Sequence, residues 1–471
     1  MEHIRSVTID GLRGFRHPQR IDLAIPNGTP GSGLTVVVGP NNSGKSTVIE
    51  ALTALAATQP TTYALGKRNS YSNSIVRLTA EFVDHRVNIL ETVQAGGAQT
   101  SFTRREIQPG EMDIGIVQSR RGFNPYFSLY EPTDRTSYNR NSPASSENRL
   151  QQLNSAFTGR IFKIAAEGQP DREKFNALLG RVLGGTPPKW TIDQHDTGQY
   201  FIKFILDTDD HYHSSEGVGE GIVSLFSVLS ALYDLDPKSV VAIDEPELSL
   251  HPQYQRRLRE IISERSAEAQ VIYTTHSPYF VNWFDIGNGA EIVRAYKRPK
   301  EGVCLRQAAR DAAKSLITLL KNDNAPHVLD LHASEVFFVE DGVIITEGQE
   351  DVIFFPKIGA EIDMSLAGSF YGWGAGGSGN ISKICGLLAS LGYEKVVAVF
   401  DGDKASDADK CKAAFPSYHV AVLPADDIRS KPERSTPAKP GLWTGSGIDE
   451  DKRAATIAMY ESINAFLAAP S

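Results

Sequence analysis

The sequence contains little cysteine, with only three in 471 residues, at positions 304, 385 and 411. An odd number of widely spaced cysteines fits neither a disulfide framework nor a zinc cluster. A chain of this length can bury enough apolar surface to fold without either kind of cross-link. Free thiols are typical of a reducing compartment, and we therefore expect a cytoplasmic protein.

Long apolar runs and an excess of basic residues are also absent. No run reaches the roughly 18 apolar residues that a membrane-spanning helix needs, and the start MEHIRSVTID lacks the pattern of a secretory signal. We therefore expect no membrane association. The formal net charge is −9, whereas a domain that binds nucleic acid is usually basic. Any contact with DNA must use local basic patches or metal ions.

Apolar strand patterns alternate with helical patterns along most of the chain. LTVVV, KSVVAID, AQVIYTT and KVVAVFDGD are continuous apolar runs typical of buried parallel strands. This order predicts an α/β fold with right-handed crossovers. We expect a first domain with a mixed sheet over residues 1–310, a linker helix over 311–334 and a smaller α/β domain over 335–471. A helical insertion near residues 147–183 could contact a second subunit.

A complete phosphate-binding motif, G-x-x-x-x-G-K-S, follows the LTVVV strand and opens a helix. Glycines let the backbone turn its N–H groups towards phosphate oxygens, and the helix N-terminus favours negative charge. Lys45 is expected to reach the β- and γ-phosphates and the Ser46 hydroxyl to bind Mg²⁺. The expected nucleotide-binding residues are Gly39, Pro40, Asn41, Asn42, Ser43, Gly44, Lys45, Ser46 and Thr47.

Two later strands supply the groups that a nucleotide-hydrolysing site also needs. VVAID ends in Asp244 and is followed by Glu245. Asp244 is expected to hold the Mg²⁺ shell, and Glu245 to activate the attacking water as general base. His276, in TTHSP after the next strand, is expected to reach the γ-phosphate. An acidic strand end or a single histidine means little in isolation, but both follow a phosphate-binding loop here.

GPNNSGKST, AIDEPELSLHP and TTHSP together resemble the Walker A, Walker B with D-loop, and switch-histidine motifs of ABC ATPases of the RecF/SMC-like group. The resemblance implies a signature loop that contacts ATP on the opposite protomer, and hence at least a dimer. SSEGVGE precedes the Walker B strand, with Ser215 and Gly217 as its expected contacts. It departs from the usual LSGGQ by one residue between serine and the first glycine. Gln118 is a candidate for the Q-loop.

A second group of carboxylates lies near the C-terminus. Glu347 comes just after a predicted strand within VFFVEDGVIITEG, and Asp351, four residues on, is expected to share a helix face with it. Asp401 and Asp403 end the strand KVVAVFDGD. Oxygen ligands of this kind suit Mg²⁺ or Mn²⁺, and closely spaced carboxylates favour a divalent ion. Asp426 or Asp427 could complete the site, although the tail over residues 429–447 is expected to be irregular.

A strand-ending Glu-Gly followed by Asp-x-Asp resembles a Toprim domain. An ABC-type ATPase followed by a Toprim domain is similar to the OLD (overcoming lysogenization defect) family, which includes the ATPase–nuclease subunit of Gabija-type antiphage systems. The resemblance implies a metal-dependent DNA endonuclease that uses ATP and Mg²⁺, with Mn²⁺ as an alternative, forms a dimer or tetramer, and works with a partner defence protein. The residues matching the metal ligands are Glu347, Asp351, Asp401 and Asp403; Glu347, Asp401 and Asp403 would be catalytic.

Two other functions remain open at this point. The chain could be an ATPase sensor or scaffold that holds a partner effector and whose Toprim-like domain is inactive. It could also be a RecF-like DNA-repair ATPase that binds DNA without cutting it, although the carboxylates after Glu347 argue against this reading.

Overall fold

The computed structural model describes most of the chain in two compact units. The first unit comprises Met1–Phe280 and Asn288–Leu305, and the second comprises Val281–Gly287 and Arg306–Ser471. The chain therefore enters the second unit, returns to the first and leaves it again at residue 306. The described residues are 3–72, 75–108, 111, 114–119, 128, 149–166, 169–185, 187, 189–205, 212–214, 219–320, 326–339, 342–433, 438–445 and 447–469.

The helices and strands alternate as the apolar patterns predict. The described helices are α1 Lys45–Ala56, α2 Arg149–Ala166, α3 Gln169–Leu183, α4 Glu220–Leu232, α5 Pro252–Arg265, α6 Trp283–Asn288, α7 Arg310–Leu320, α8 Leu331–Ser334, α9 Gln349–Glu361, α10 Ser378–Ser390, α11 Ala405–Ala414 and α12 Arg453–Ala468. Short 3-10 turns occupy Pro278–Phe280, Pro326–Leu329, Glu335–Phe338, Gly402–Lys404 and Glu450–Lys452. No described helix has the length and apolar character needed to cross a membrane.

The described strands form five sheets. They are β1 Ile4–Asp10, β2 Gln19–Asp22, β3 Leu34–Val38, β4 Arg77–Phe82, β5 Val87–Thr92, β6 Thr100–Arg105, β7 Ile114–Val117, β8 Lys189–Gln194, β9 Tyr200–Ile205, β10 Tyr212–Ser214, β11 Val240–Asp244, β12 Gln270–Thr274, β13 Glu291–Arg298, β14 Gly302–Gln307, β15 Val343–Ile345, β16 Ser369–Phe370, β17 Val396–Phe400, β18 His419–Val422, β19 Asp427–Arg429 and β20 Gly441–Trp443.

The central sheet of the first unit has six strands in the order β14-β13-β3-β12-β11-β7. Strands β3, β12 and β11 are neighbours, pair in parallel and are buried along their whole length, as their continuous apolar runs predict. Their carboxyl ends therefore meet at one edge of the sheet. The phosphate-binding loop, the acidic pair and His276 each follow one of these three strands.

An antiparallel sheet in the order β2-β1-β4-β5-β6 completes the mixed architecture of the first unit. Strand β1 alternates buried and more exposed side chains, and its buried residues join α1 and the central sheet in one apolar core. A third sheet has the order β10-β9-β8. The predicted helical insertion consists of two helices, α2 and α3.

The second unit contains a four-stranded parallel sheet in the order β16-β15-β17-β18, with α9 and α12 contributing to its apolar core. Strands β15 and β17 are neighbours, and Ile344 pairs with Val397. The glutamate that follows β15 and the aspartates that follow β17 are therefore brought to the same sheet edge.

The structure departs from the predicted pattern in two parts of the second unit. Residues 335–338 form a 3-10 turn rather than the start of a strand, because Asp330 caps α8 by accepting from the Ala333 backbone N–H and the turn continues directly from that helix. The tail expected to be irregular, residues 429–447, contains β20, which pairs in parallel with β19 at the start of the tail.

The boundary between the two units also differs from the one expected. Helix α7, expected to be part of a linker, belongs to the second unit, together with the earlier segment Val281–Gly287. Sequence pattern alone offered no sign that a short segment inside the first domain would pack elsewhere.

Candidate nucleotide and carboxylate sites

The phosphate-binding loop surrounds a cavity of about 890 Å³. Gly39 has φ +140° and a Cβ there would lie 2.1 Å from the Ala295 carbonyl oxygen, so a larger residue cannot replace it without displacing that strand. Gly44 has φ +97° and directly precedes α1. Of the predicted residues, Asn41, Asn42, Ser43, Gly44, Lys45, Ser46 and Thr47 line the cavity, together with Arg13, Gln118, Glu245 and His276.

The Lys45 ammonium lies at the centre of this loop. Its Nζ donates to the Gly39 and Pro40 carbonyl oxygens at 2.9 and 2.8 Å and lies 3.4 Å from Nδ1 of His276. Burial lowers the pKa of Lys45 to about 8, although nearby carboxylates, first among them Glu245, oppose this shift. A buried ammonium beside the backbone of a phosphate-binding loop is an anion-binding group, which suits a nucleotide phosphate.

Asp244 and Ser46 meet beside the loop. The Ser46 hydroxyl donates to Oδ1 of Asp244 at 3.0 Å, and the Thr274 hydroxyl donates to the same oxygen at 2.5 Å. A serine hydroxyl next to a buried carboxylate is the donor set that Mg²⁺ takes in phosphate-binding loops, so these residues fit the ion.

Glu245 and His276 are also brought together. His276 Nε2 lies 3.2 Å from Oε1 of Glu245, and the Glu245 backbone has φ +51°. A left-handed backbone is uncommon for a non-glycine residue and is found most often at functional sites. The Glu245 backbone N–H donates to the Thr274 carbonyl oxygen at 3.1 Å, which fixes the turn to strand β12.

Glu247 is a residue that sequence reasoning missed. Its Oε1 accepts from the His276 backbone N–H at 2.6 Å and from the Thr275 hydroxyl at 2.8 Å. Burial raises the pKa of Glu247 despite these bonds. Glu247 therefore holds the turn that carries His276, and its only sign in the sequence was its place two residues after Glu245.

The expected signature-loop contacts, Ser215 and Gly217, lie outside the described residues. Helix α4 begins at Glu220, as expected of the helix that such a loop opens. Gln118, the candidate Q-loop residue, lines the nucleotide cavity.

Glu347 and Asp401 lie together at the edge of the second unit's sheet. The Asp401 backbone N–H donates to Oε1 of Glu347 at 3.0 Å, across 54 positions of sequence. The expectation that Glu347 and Asp351 share a helix face is wrong, because α9 begins only at Gln349. Asp351 instead folds back, and its Oδ2 accepts from the Gly348 backbone N–H at 2.8 Å.

Burial and neighbouring charges raise the pKa of three of these carboxyl groups. Burial, followed by the charges of Glu347, Asp351, Asp427 and Asp403, raises the pKa of Asp401 to about 8. Burial is also the main cause that raises the pKa of Asp351 to about 7, with Glu347 and Asp427 adding to it. The pKa of Glu347 is raised in the same way, chiefly by burial. Asp427, one of two late carboxylates considered, thus belongs to the group.

Basic side chains pair with the outer carboxylates of the group. Lys439 Nζ lies 2.6 Å from Asp403, and Lys404 lies 3.5 Å from it. Burial would raise the pKa of Asp403, but these two lysines together lower it. Lys431 lies 2.6 Å from Asp427. Sequence reasoning did not single out Lys431 or Lys439, which come from the tail expected to be irregular.

The carboxylate oxygens of this group are ligands of the kind that a divalent cation such as Mg²⁺ or Mn²⁺ prefers. Among the described residues, no three acidic, histidine or cysteine side chains already converge in a ligating arrangement. Burial is the main cause of the raised pKa values of Asp401 and Asp351, and repulsion between neighbouring carboxylates adds to it. Replacing the lysine contacts by an ion would relieve that repulsion.

Comparison with known proteins supports the ATPase fold and the resemblance inferred from the motifs. Residues 34–282, more than half of the chain, match the family described as "AAA domain, putative AbiEii toxin, Type IV TA system". The chain is 27% identical over 195 residues to the OLD nuclease of Thermus scotoductus, covering 40% of this chain and 35% of that protein. It therefore spans about a third of the relative's length. The α/β P-loop ATPase fold and the OLD-like resemblance are confirmed, while the Toprim-like identity of the second unit stays a prediction.

Solved structures similar to the chain include two SMC head domains. One, with an extended coiled coil bound to the C-terminal domain of ScpA derived from Pyrococcus furiosus, is 13% identical and has a TM-score of 0.44, covering 68% of this chain and 100% of that one. The other, from Thermotoga maritima, is 14% identical with a TM-score of 0.37, covering 64% and 98%. Both TM-scores are below 0.5, so the likeness by itself supports no conclusion.

Proposed function

The chain belongs to this AAA-domain family, and from that premise we propose that it is an ATP-hydrolysing, divalent-metal-dependent DNA endonuclease of the OLD kind. The single observation that supports the nuclease half is the meeting of Glu347 with Asp401 at one sheet edge, beside the buried Asp351. The similarity of part of the chain to an OLD nuclease supports the same proposal. Antiphage defence, a dimer or tetramer and a partner defence protein belong to this proposal.

The ATPase half would work through the residues that follow the C-terminal ends of β3, β11 and β12 in the central sheet. Lys45 would bind the β- and γ-phosphates, while Ser46 and Asp244 would hold Mg²⁺. Glu245 would take a proton from the attacking water, and His276, 3.2 Å away, would orient that carboxylate and contact the γ-phosphate. Ser215 and Gly217 are proposed to contact ATP from a second subunit.

The nuclease half would hold Mg²⁺ or Mn²⁺ with Glu347, Asp351, Asp401 and Asp403, joined by Asp427. Divalent ions bound there would polarise a phosphodiester and lower the pKa of a water molecule. Glu347, Asp401 and Asp403 are the proposed catalytic carboxylates. Lys404 and Lys439, which neutralise Asp403 without metal, would be free to contact phosphate oxygens of DNA once an ion takes that charge.

Plasmid cleavage with and without metal tests this function. We expect the full-length protein to nick or linearise plasmid DNA in Mg²⁺ or Mn²⁺, and to lose all cleavage when EDTA removes the ion. Each condition should be repeated with ATP, with ADP and without nucleotide. Wild-type protein that hydrolyses ATP but leaves DNA intact in both metals would overturn the nuclease assignment.

One observation favours a second candidate function. Lys439 and Lys431 occupy the outer carboxylates in short ion pairs, as expected if the second unit bound no metal and served as a scaffold. An ATPase that holds a partner effector would then be the better description. Titration with Mn²⁺ separates the two candidates, since only the nuclease requires that ion to bind the second unit.

The affinity of nucleotide-free protein for Mn²⁺ is expected to rise by about tenfold or more between pH 6 and pH 8. The pKa of Asp401 is raised from 3.8 to about 8 and that of Asp351 to about 7, so both carboxyls keep a proton at pH 6 and release it as the pH rises. For the same reason, these groups make the metal-free fold less stable as the pH rises from about 4 towards 8. Calorimetric titration at several pH values measures the affinity, and a flat profile would contradict the carboxylate site.

A further inference from the structure

A short stretch of chain leads from His276, at the proposed nucleotide site, into the second unit. His276 follows β12, and after the Pro278–Phe280 turn the chain enters the second unit at Val281. The Tyr273 ring, within β12, packs edge-on against Phe280 at 5.6 Å, and its hydroxyl donates to the Phe280 carbonyl oxygen at 2.5 Å. The strand that positions His276 therefore also holds the start of this connection.

Trp283 anchors the connection inside the second unit. Its side chain is buried, with its ring 5.3 Å from that of Phe337, and its Nε1–H donates to the Asp330 carbonyl oxygen at 3.4 Å. Asp330 in turn caps α8 through the Ala333 backbone N–H. The connection therefore ends on the turn-rich segment over residues 326–339.

Tyr371 links that segment to the carboxylate site. Its buried hydroxyl donates to the Val328 carbonyl oxygen at 3.1 Å, and its backbone N–H donates to the Ile344 carbonyl oxygen in β15 at 2.8 Å. Strand β15 ends at Ile345, two residues before Glu347.

The loop that follows Tyr371 is bonded along its length to the backbone that carries Glu347. Ala375 N–H donates to the Thr346 carbonyl oxygen at 2.8 Å, and Gly377 N–H donates to that of Glu347 at 2.9 Å. A Cβ on Gly374, at φ +92°, would lie 2.7 Å from the Gly348 carbonyl carbon. The loop therefore has no freedom to shift without moving Glu347.

Building on the proposed function, we propose that Trp283 and Tyr371 are positioning residues that couple the nucleotide bound at His276 to the placement of Glu347. Covalent chain, ring contacts and hydrogen bonds that are buried or partly buried connect His276 to Glu347. A bound γ-phosphate would compete with His276 for the Lys45 ammonium and with Glu245 for the His276 ring, and so would favour one position of the turn over another. Coupling of this kind typically changes an equilibrium about 5- to 150-fold.

Hydrogen exchange of the full-length protein, with and without the non-hydrolysable analogue AMP-PNP and Mg²⁺, tests this coupling. We expect the analogue to change the exchange rate of the amides in residues 371–377 by about fivefold or more in the wild type. Tyr371→Phe, which removes one buried hydroxyl, should lose that change while its phosphate-binding loop still becomes protected. Tyr460→Phe is the matched control, since it also removes one buried hydroxyl, which donates to the Phe355 carbonyl oxygen rather than to the segment over residues 326–339.

Replacements of Trp283 test the coupling independently in the same hydrogen-exchange experiment. Trp283→Phe keeps a ring against Phe337 and is expected to retain most of the nucleotide response, whereas Trp283→Leu is expected to lose it. The coupling is overturned if residues 371–377 of the wild type do not respond although the phosphate-binding loop is protected, or if Tyr371→Phe responds as the wild type does. No DNA is present, so a protein that responds but never cuts DNA would refute the nuclease and still support the coupling.

Discussion

Replacing Asp401 with asparagine is expected to slow metal-dependent DNA cleavage by about a hundred- to a thousandfold, since a metal ion supplies several kcal/mol to such a reaction. The Asp401 backbone N–H donates to Oε1 of Glu347, and the neighbouring carboxylates add to the effect of burial in raising the pKa of Asp401. Asparagine keeps the shape of the side chain but removes the anionic ligand. ATP turnover should not change, because the nucleotide site lies wholly within the first unit.

The control for this variant is Asp409→Asn, which changes an exposed aspartate on α11. Cleavage by that variant should equal cleavage by the wild type. Misfolding is not expected to explain the loss in Asp401→Asn, since removing a partly buried carboxyl group with a raised pKa should leave the metal-free fold at least as stable at pH 8. Thermal unfolding at that pH measures this. Cleavage within tenfold of the wild type would exclude Asp401 as a metal ligand.

Replacing Glu245 with glutamine is expected to lower ATP turnover by about a hundred- to ten-thousandfold, the usual contribution of a general base. Glutamine retains a hydrogen-bonding group 3.2 Å from His276 Nε2 but cannot accept the proton of the attacking water. ATP should still bind, since Lys45, Ser46 and Asp244 are unchanged. Phosphate release measures turnover, and binding of a fluorescent ATP analogue measures affinity.

The matched control is Glu268→Gln, an exposed glutamate of the same unit whose replacement should leave turnover unaltered. Because Glu245→Gln would hold ATP without hydrolysing it, the variant also shows which step governs the nuclease. If ATP binding alone governs the nuclease, Glu245→Gln with ATP should cleave DNA at the same rate as the wild type with AMP-PNP. Turnover within a few-fold of the wild type would assign the base to another residue.

The local sequence pattern was sufficient to predict those elements that a single stretch of chain forms by itself. The apolar runs of β3, β11 and β12 predicted buried parallel strands because burial on both faces leaves no alternation. Pattern was insufficient at residues 335–338, where apolar residues suggested a strand, but the cap at Asp330 starts a turn and Phe337 packs on Trp283. It also misplaced Glu347 on a helix that begins two residues later.

The amino-acid order by itself determined the phosphate-binding loop and the strand ends that carry the acidic residues, because each depends on neighbours within a few positions. The succession of these motifs along the chain also indicated the P-loop ATPase fold. Only the tertiary structure decided which distant groups meet. Lys45 and His276 are 231 positions apart, and Asp403 and Lys439 are 36 apart. Such pairs depend on strand order and on the packing of connections, and no local pattern encodes these. The burial and the neighbouring charges that raise the pKa values of Asp401 and Asp351 therefore became visible only in the folded chain.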